Sequence, residues 1–180
     1  LTRDLAADRK GARRMQIFAA IMRLRRAASN ARLVLPDAVG PSSKLAALGD
    51  LLDDLLPNHH KVLVFSQFVD HLALVKEMLT ERGVSYRYLD GGTPMAARKI
   101  EVDSFQRGEG EVFLISLKAG GSGLNLTAAD YVVHMDPWWN PASEDQASDR
   151  AHRIGQTRPV TIYRLVARDT IEDRILGLHH

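Results

Sequence analysis

The sequence predicts an α/β fold: a doubly wound parallel sheet flanked by helices, with a helical protrusion at its N-terminus. Three observations carry that expectation. Short, nearly continuous apolar runs recur from residue 61 onward, as in strands buried on both faces of a parallel sheet. Stretches of helical period separate them, which is what right-handed crossovers between parallel strands require. Ahead of them stands a basic helical stretch, cut off from the rest by Pro36, Gly40 and Pro41.

That first stretch, "RRMQIFAAIMRLRRAA" (13–28), sets Ile17, Ile21 and Leu24 on one side of a helix and arginines on another. Residues 1–35 hold nine basic side chains against two acids, a net +7 in a chain of net +2, so the remainder carries −5. Such an arm suits a phosphate-bearing partner, or is a solvated helix face. We expect a basic helical protrusion and linker over 1–41 and the main domain over 42–180.

Within the main domain, "SSKLAALGDLLDDLL" reads as an amphipathic helix over 44–56, closed by Pro57. The strand "KVLVF" (61–65) follows, then a helix over 69–82, the strand "YRYLD" (86–90), a helix over 94–107 and the strand "VFLIS" (112–116). "YVVHM" (131–135), a helix through "DQASDRAHRIGQ" (145–156) and "VTIYRLV" (160–166) continue the series.

Composition excludes several classes. Hydrophobic residues make up 45% of the 180 positions, enough for one core. No apolar run approaches the roughly 20 residues of a membrane span, and the first thirty residues lack the pattern of a signal peptide. A soluble, intracellular protein without membrane contact is therefore expected. Cysteine is absent and the seven histidines show no HxxxH or HExxH spacing, so no metal site is expected.

In doubly wound sheets ligands sit beyond the carboxyl ends of the strands. After "VFLIS" comes "SLKAGGSGLNLTAAD", where Gly120, Gly121 and Gly123 allow close backbone approach and positive φ, and Ser116 and Lys118 offer a hydroxyl and a cation for phosphate. The loop contacts phosphate or is a tight turn. A dinucleotide fingerprint GxGxxG fails at Leu126, and GxxxxGK[ST] occurs nowhere, so the chain alone should not hydrolyse nucleotide. On one continuous helix Gln146, Arg150 and Arg153 fall at i, i+4 and i+7 and share a face. Two guanidinium groups there suit the oxygens of a phosphoryl group in transit. The alternative is a salt-bridged surface, Asp149 with Arg153 and Asp145 with Arg150. Trp138 and Trp139, between two prolines, either divide between core and partner surface or form a structural aromatic corner.

With "FSQF", "LDGGT", "SLKAGGSGLNLTAAD", "DPWWNP" and "DQASDRAHRIGQ" in this order, the chain resembles the second RecA-like lobe of the Swi/Snf family within helicase superfamily two. The resemblance runs from about Ser42 to the C-terminus, and "IMRLRRAASNARLVLP" is similar to the helical protrusion that leads into this lobe. It departs from many relatives in having "SNARL" where they carry a Cys-x-His-Pro signature. The chain lacks a first lobe and stops soon after "TIEDRI", so it reads as a fragment, with His179 and His180 either native or the start of a tag.

The resemblance implies a DNA-dependent ATPase that translocates on double-stranded DNA and remodels an unknown bound protein complex. In the family, ATP is clamped between two lobes; the first supplies the phosphate loop and holds Mg2+, and the second supplies arginine fingers. It implies Arg150 and Arg153 as the fingers, with Gln146 helping to position them, and Gly121, Gly123 and Asn125 near the nucleotide. Ser66, Gln67, Gly91, Thr93, Ser116 and Lys118 match positions that touch the DNA backbone. Trp138 and Trp139 belong to the coupling of DNA grip to ATP closure. Two rival readings are a nucleic-acid binding module with no catalytic part and a dinucleotide-dependent enzyme built on "GGSGLN". The missing glycine at Leu126, and the lack of a ribose-binding acid at suitable spacing, stand against the second. High Ala and Arg usage favours a bacterial, cytoplasmic, nucleoid-associated protein; a eukaryotic source implies the nucleus.

Overall fold

Five parallel strands, β1 (Val62–Ser66), β2 (Tyr86–Leu89), β3 (Val112–Ser116), β4 (Tyr131–His134) and β5 (Thr161–Arg164), form one sheet in the order β2-β3-β1-β4-β5. The structure, a computed structural model, describes residues 2–121 and 123–178, apart from the side chains of 2–9 and 120–121. His179 and His180 lie outside the described residues.

The continuous apolar runs divide by parity. Val62, Val64, Val112, Leu114 and Val133 face a layer made by α2 (Ser43–Leu55) and α3 (Val69–Glu81), where Leu48, Leu52, Leu72, Val75 and Leu79 are buried. Leu63, Phe65, Phe113, Ile115 and Val132 face the other layer, with Phe105 of α4 (Met95–Gln106) and Ala147 of α5 (Pro141–Ser148). Successive side chains point to opposite faces of a strand, so both faces being covered is why these runs show no alternation. Burying each large side chain contributes about 1.5–3 kcal/mol.

Two expectations are corrected. α1 (Thr2–Ser29) is longer than the expected helix, and its presumed apolar side is not what meets the lobe. Ile17 and Leu24 are exposed, whereas Arg25 and Ser29, one turn apart, are buried. The last turns of α1 lie against α6 (Ile171–Gly177). The helix expected through 145–156 ends at Ser148, and beyond it carbonyls that a continuing helix would use accept from other groups. Ser148 Oγ bonds back to Glu144 O at 3.1 Å and meets His134 Nε2 at 2.9 Å. Leu126 N donates to Arg150 O at 3.0 Å, and Gln156 Nε2 donates to Ala151 O at 3.0 Å. No helix among the described residues is long and apolar enough to cross a membrane.

Candidate functional site

β1 is central, so the loops leaving β1, β3 and β4 converge at its carboxyl end. Arg150 sits there. With α5 ended, Gln146, Arg150 and Arg153 do not share one helical face; Gln146 is on α5 and both arginines stand in the turns beyond it. Gln146 and Arg150 nevertheless line the same small cleft, of about 130 Å³, together with Phe65, Leu117, Trp138, Ser143 and Ala147.

The two arginines differ. Arg150 is 6% exposed, and its Nε and Nη1 have no hydrogen-bond partner among the described residues. Burial lowers its pKa, and the neighbouring Arg153 lowers it further. Arg153 is exposed, its Nη1 donating to Gly123 O at 2.8 Å and Leu124 O at 3.2 Å. Among the described residues the Asp149–Arg153 and Asp145–Arg150 pairs of the alternative, salt-bridged reading do not form; the side chain near Asp145 is Arg164, which also pairs with Glu144. Gly123 leaves open a side against which both Nη atoms of Arg153 lie, 3.5 Å from where a Cβ would be. Asn125, exposed, lines a groove with Gly123, Leu124 and Met95. Gly121 ends the 3₁₀ turn Leu117–Gly121, and Ser122 lies outside the described residues.

Around the loop after β1, Ser66 is fully buried and its Oγ donates to Asp136 Oδ2 at 2.5 Å, while Gln67 N donates to Asp136 Oδ1 at 3.1 Å. Ser66 therefore spends its hydroxyl inside the lobe, where it shapes the loop, and does not present it outward. Burial pushes the Asp136 carboxyl above its usual range, against the Ser66 bond and Lys44, which favour the anion. Ser116 is likewise buried, with its Oγ unpartnered among the described residues. Gln67, Ser116 and Lys118 line one open groove of about 700 Å³, walled on the α1 side by Met22 and Arg26. Lys118 and Gly91 are exposed, and Thr93 is half-buried, its Oγ1 accepting from Asp90 N at 3.0 Å. Asp90 is held below the usual carboxylate range, chiefly by the Tyr88 hydroxyl at 2.8 Å.

Sequence reasoning missed Arg98. From α4 its guanidinium donates to Thr93 O at 2.8 Å, Ala119 O at 3.1 Å, and Asp90 O and Gly91 O at 3.3 Å each. One planar cation thus ties the loop after β2 to the turn after β3. An arginine four residues beyond Pro94 at the start of a helix, after a Gly-Gly turn, is the only signal the sequence carries. Trp138 is half-buried, 6.0 Å edge-on to His134, and Trp139 is 45% exposed, so the pair divides between interior and surface. No group of three or more His, Asp or Glu among the described residues could hold a metal ion.

These features define an α/β lobe whose sheet presents an unpaired buried arginine and two tied loops at one edge, and the comparisons with known proteins agree. Residues 43–155 match the helicase conserved C-terminal domain family. The chain belongs to that family, as a second RecA-like lobe of the Swi/Snf type. It is 51% identical over 138 residues to chromatin-remodeling ATPase INO80 of Cryptococcus neoformans, covering 76% of this chain and 8% of that protein. The figures for INO80 of Aspergillus oryzae are 51%, 138 residues, 76% and 10%. The chain thus spans about a tenth or less of the length of the curated relatives it matches. Among solved structures it resembles the Sulfolobus solfataricus SWI2/SNF2 ATPase core in complex with dsDNA, with TM-score 0.81 and 30% identity over 93% of this chain and 36% of that one. It also resembles the C-terminal part of the Fun30 ATPase domain, with TM-score 0.74 and 38% identity over 76% and 45%.

Proposed function

We propose that this lobe is the second half of an ATP-driven motor on double-stranded DNA, supplying Arg150 and Arg153 to a triphosphate held with Mg2+ mainly by a first RecA-like lobe. The observation that carries the reading is the Arg150 guanidinium: buried, with no carboxylate partner among the described residues, and at the carboxyl edge of the sheet. An uncompensated buried cation costs roughly several kcal/mol. An anion brought in by closure of the lobes offsets that cost. Removing one such arginine from a phosphoryl-transfer site costs about 10³ to 10⁵ in rate. Arg153, which among the described residues is held by two carbonyls on the surface, can exchange them for a stronger acceptor. Gly121, Gly123 and Asn125 then lie near the nucleotide, and Gln146 helps to orient Arg150.

For DNA, the reading assigns Gln67, Gly91, Thr93 and Lys118 to one strand's backbone, with Ser66 and Ser116 acting through the loops they anchor. Trp138 and Trp139 join the two functions, since one lines the Arg150 cleft and the other lies by the Arg25 guanidinium that bonds Gln67. The division into a basic protrusion (1–41) and a motor lobe (42–180) is part of the proposal. A binding module with no catalytic part leaves the unpaired Arg150 unexplained. The relatives reported above are fungal and archaeal and lend no support to a bacterial, cytoplasmic setting; we place the protein on chromatin, nuclear if its source is eukaryotic, remodelling a protein complex on DNA. The test joins this chain to a first lobe. The expected result is ATP hydrolysis stimulated by duplex DNA in the joined protein and none by the chain alone; no stimulation in the joined protein overturns the reading.

A further inference from the structure

α1 has no part in the reading above beyond its charge. Its residues 10–20 are all exposed, and yet Arg25 on the same helix is 3% exposed. Arginine is almost never buried without a partner that explains it, and no carboxylate hydrogen-bonds to this one among the described residues. Instead Arg25 Nη2 donates to Gln67 Oε1 at 2.7 Å and to Pro137 O at 3.1 Å. Its guanidinium carbon lies 5.6 Å from the Trp139 ring centre and 5.7 Å from that of Phe68, within the range of cation–π attraction. Gln67 Nε2 donates to the same Pro137 O at 2.9 Å. Both ends of the Gln67 amide are therefore fixed, one by α1 and one by the loop after β4.

We propose that Arg25 is a positioning residue through which α1 sets the orientation of Gln67 and Trp139, and with it the lobe's grip on the DNA backbone. The proposal rests on the reading that Gln67 faces DNA. Arg25 is too buried to touch a phosphate itself, so it acts through Gln67. Arg25 reaches both acceptors from one nitrogen, Nη2, while its guanidinium carbon lies near two rings, and the compact ammonium of lysine does not reproduce that combination of donor and flat face. Burial lowers the Arg25 pKa, and the charges of Asp136 and Glu172 act against that shift. A displacement of α1 moves the donor of Gln67 and the platform under Trp139 together.

The test is a double-mutant cycle on this chain, with Arg25→Lys, Gln67→Ala and the pair, reading the Kd for a fluorescein-labelled DNA duplex by anisotropy and the melting temperature beside it. Loss of one polar contact of ordinary strength weakens binding about fivefold. Gln67→Ala and Arg25→Lys are each expected to do so, and Arg25→Lys is expected to add less than about twofold once Gln67 is gone. If Gln67→Ala leaves Kd unchanged, the DNA reading of Gln67 fails. If Gln67→Ala weakens binding and Arg25→Lys does not, or if the two effects multiply, Arg25 does not act through Gln67 and the proposal is overturned. Should Arg25→Lys not fold, Arg25→Gln takes its place with the same expectations.

Discussion

Replacing Lys44 by Met tests the polar core on which the site is built. Lys44 and Glu172 are 4% and 1% exposed, and Nζ lies 2.7 Å from Glu172 Oε2 and 2.8 Å from Oε1. The same Nζ donates to Met135 O at 2.6 Å, at the end of β4 and next to Asp136. Without Lys44, Glu172 keeps two donors, Ser29 Oγ at 3.3 Å and Ala167 N at 2.8 Å, which solvate a carboxylate but do not neutralise it. Breaking a buried pair in this way costs about 3–5 kcal/mol. At about 2–4 °C per kcal/mol for a chain of this size, the melting temperature should fall by roughly 6–20 °C. Urea unfolding at pH 7, followed by far-UV circular dichroism, gives the free energy directly. Adding Glu172→Gln to Lys44→Met removes the stranded charge and should recover about half of the loss or more. A loss under about 1 kcal/mol for Lys44→Met, or no recovery in the double variant, refutes the reasoning, because the pair would then behave as a solvated surface contact.

Burial lowers the pKa of His71 to about 4 and of His134 to about 3; both stay neutral when folded and take up a proton when unfolded, so stability falls as pH drops below about 6.5. Each should contribute about 2 kcal/mol of loss between pH 7 and 5, measured as the shift in urea midpoint, and a midpoint flat over that range contradicts it. Arg98→Ala should free the loop after β2 from the turn after β3, raising hydrogen exchange at residues 90–93 and 117–119 while β1 and α3 keep their protection; unchanged exchange in those segments rules out the clamp. Duplex DNA binding by the chain should weaken steeply with salt and depend little on sequence, the slope of log K against log salt reaching about −0.9 for each phosphate neutralised; strong sequence preference would count against backbone grip.

The strands were legible because their environment leaves a local mark. "VLVF" (62–65) and "VFLI" (112–115) are apolar at every position since both faces of each strand are covered. The end of α5 left no such mark: what stops it are contacts from Leu126 and Gln156 to the carbonyls of Arg150 and Ala151, which periodicity does not contain. The same limit hid Arg98 and Arg25. Each looks like an ordinary basic residue on a helix, and its acceptors come from loops distant in sequence. Ser66 was singled out through the resemblance as a position that touches the DNA backbone, but Asp136, distant in sequence, takes its hydroxyl. Arg150 and Gln146 were brought together as expected, though around a turn rather than along one helical face.

DNA-stimulated ATP turnover, measured for the lobe joined to its first-lobe partner with Arg150→Ala in place, tests the central claim most directly. The account predicts a fall in kcat of about 10³ or more, with the half-saturating DNA concentration changed by less than about twofold, because Arg150 faces the cleft and not the groove holding Gln67 and Lys118. Turnover at the wild-type rate in that variant contradicts it.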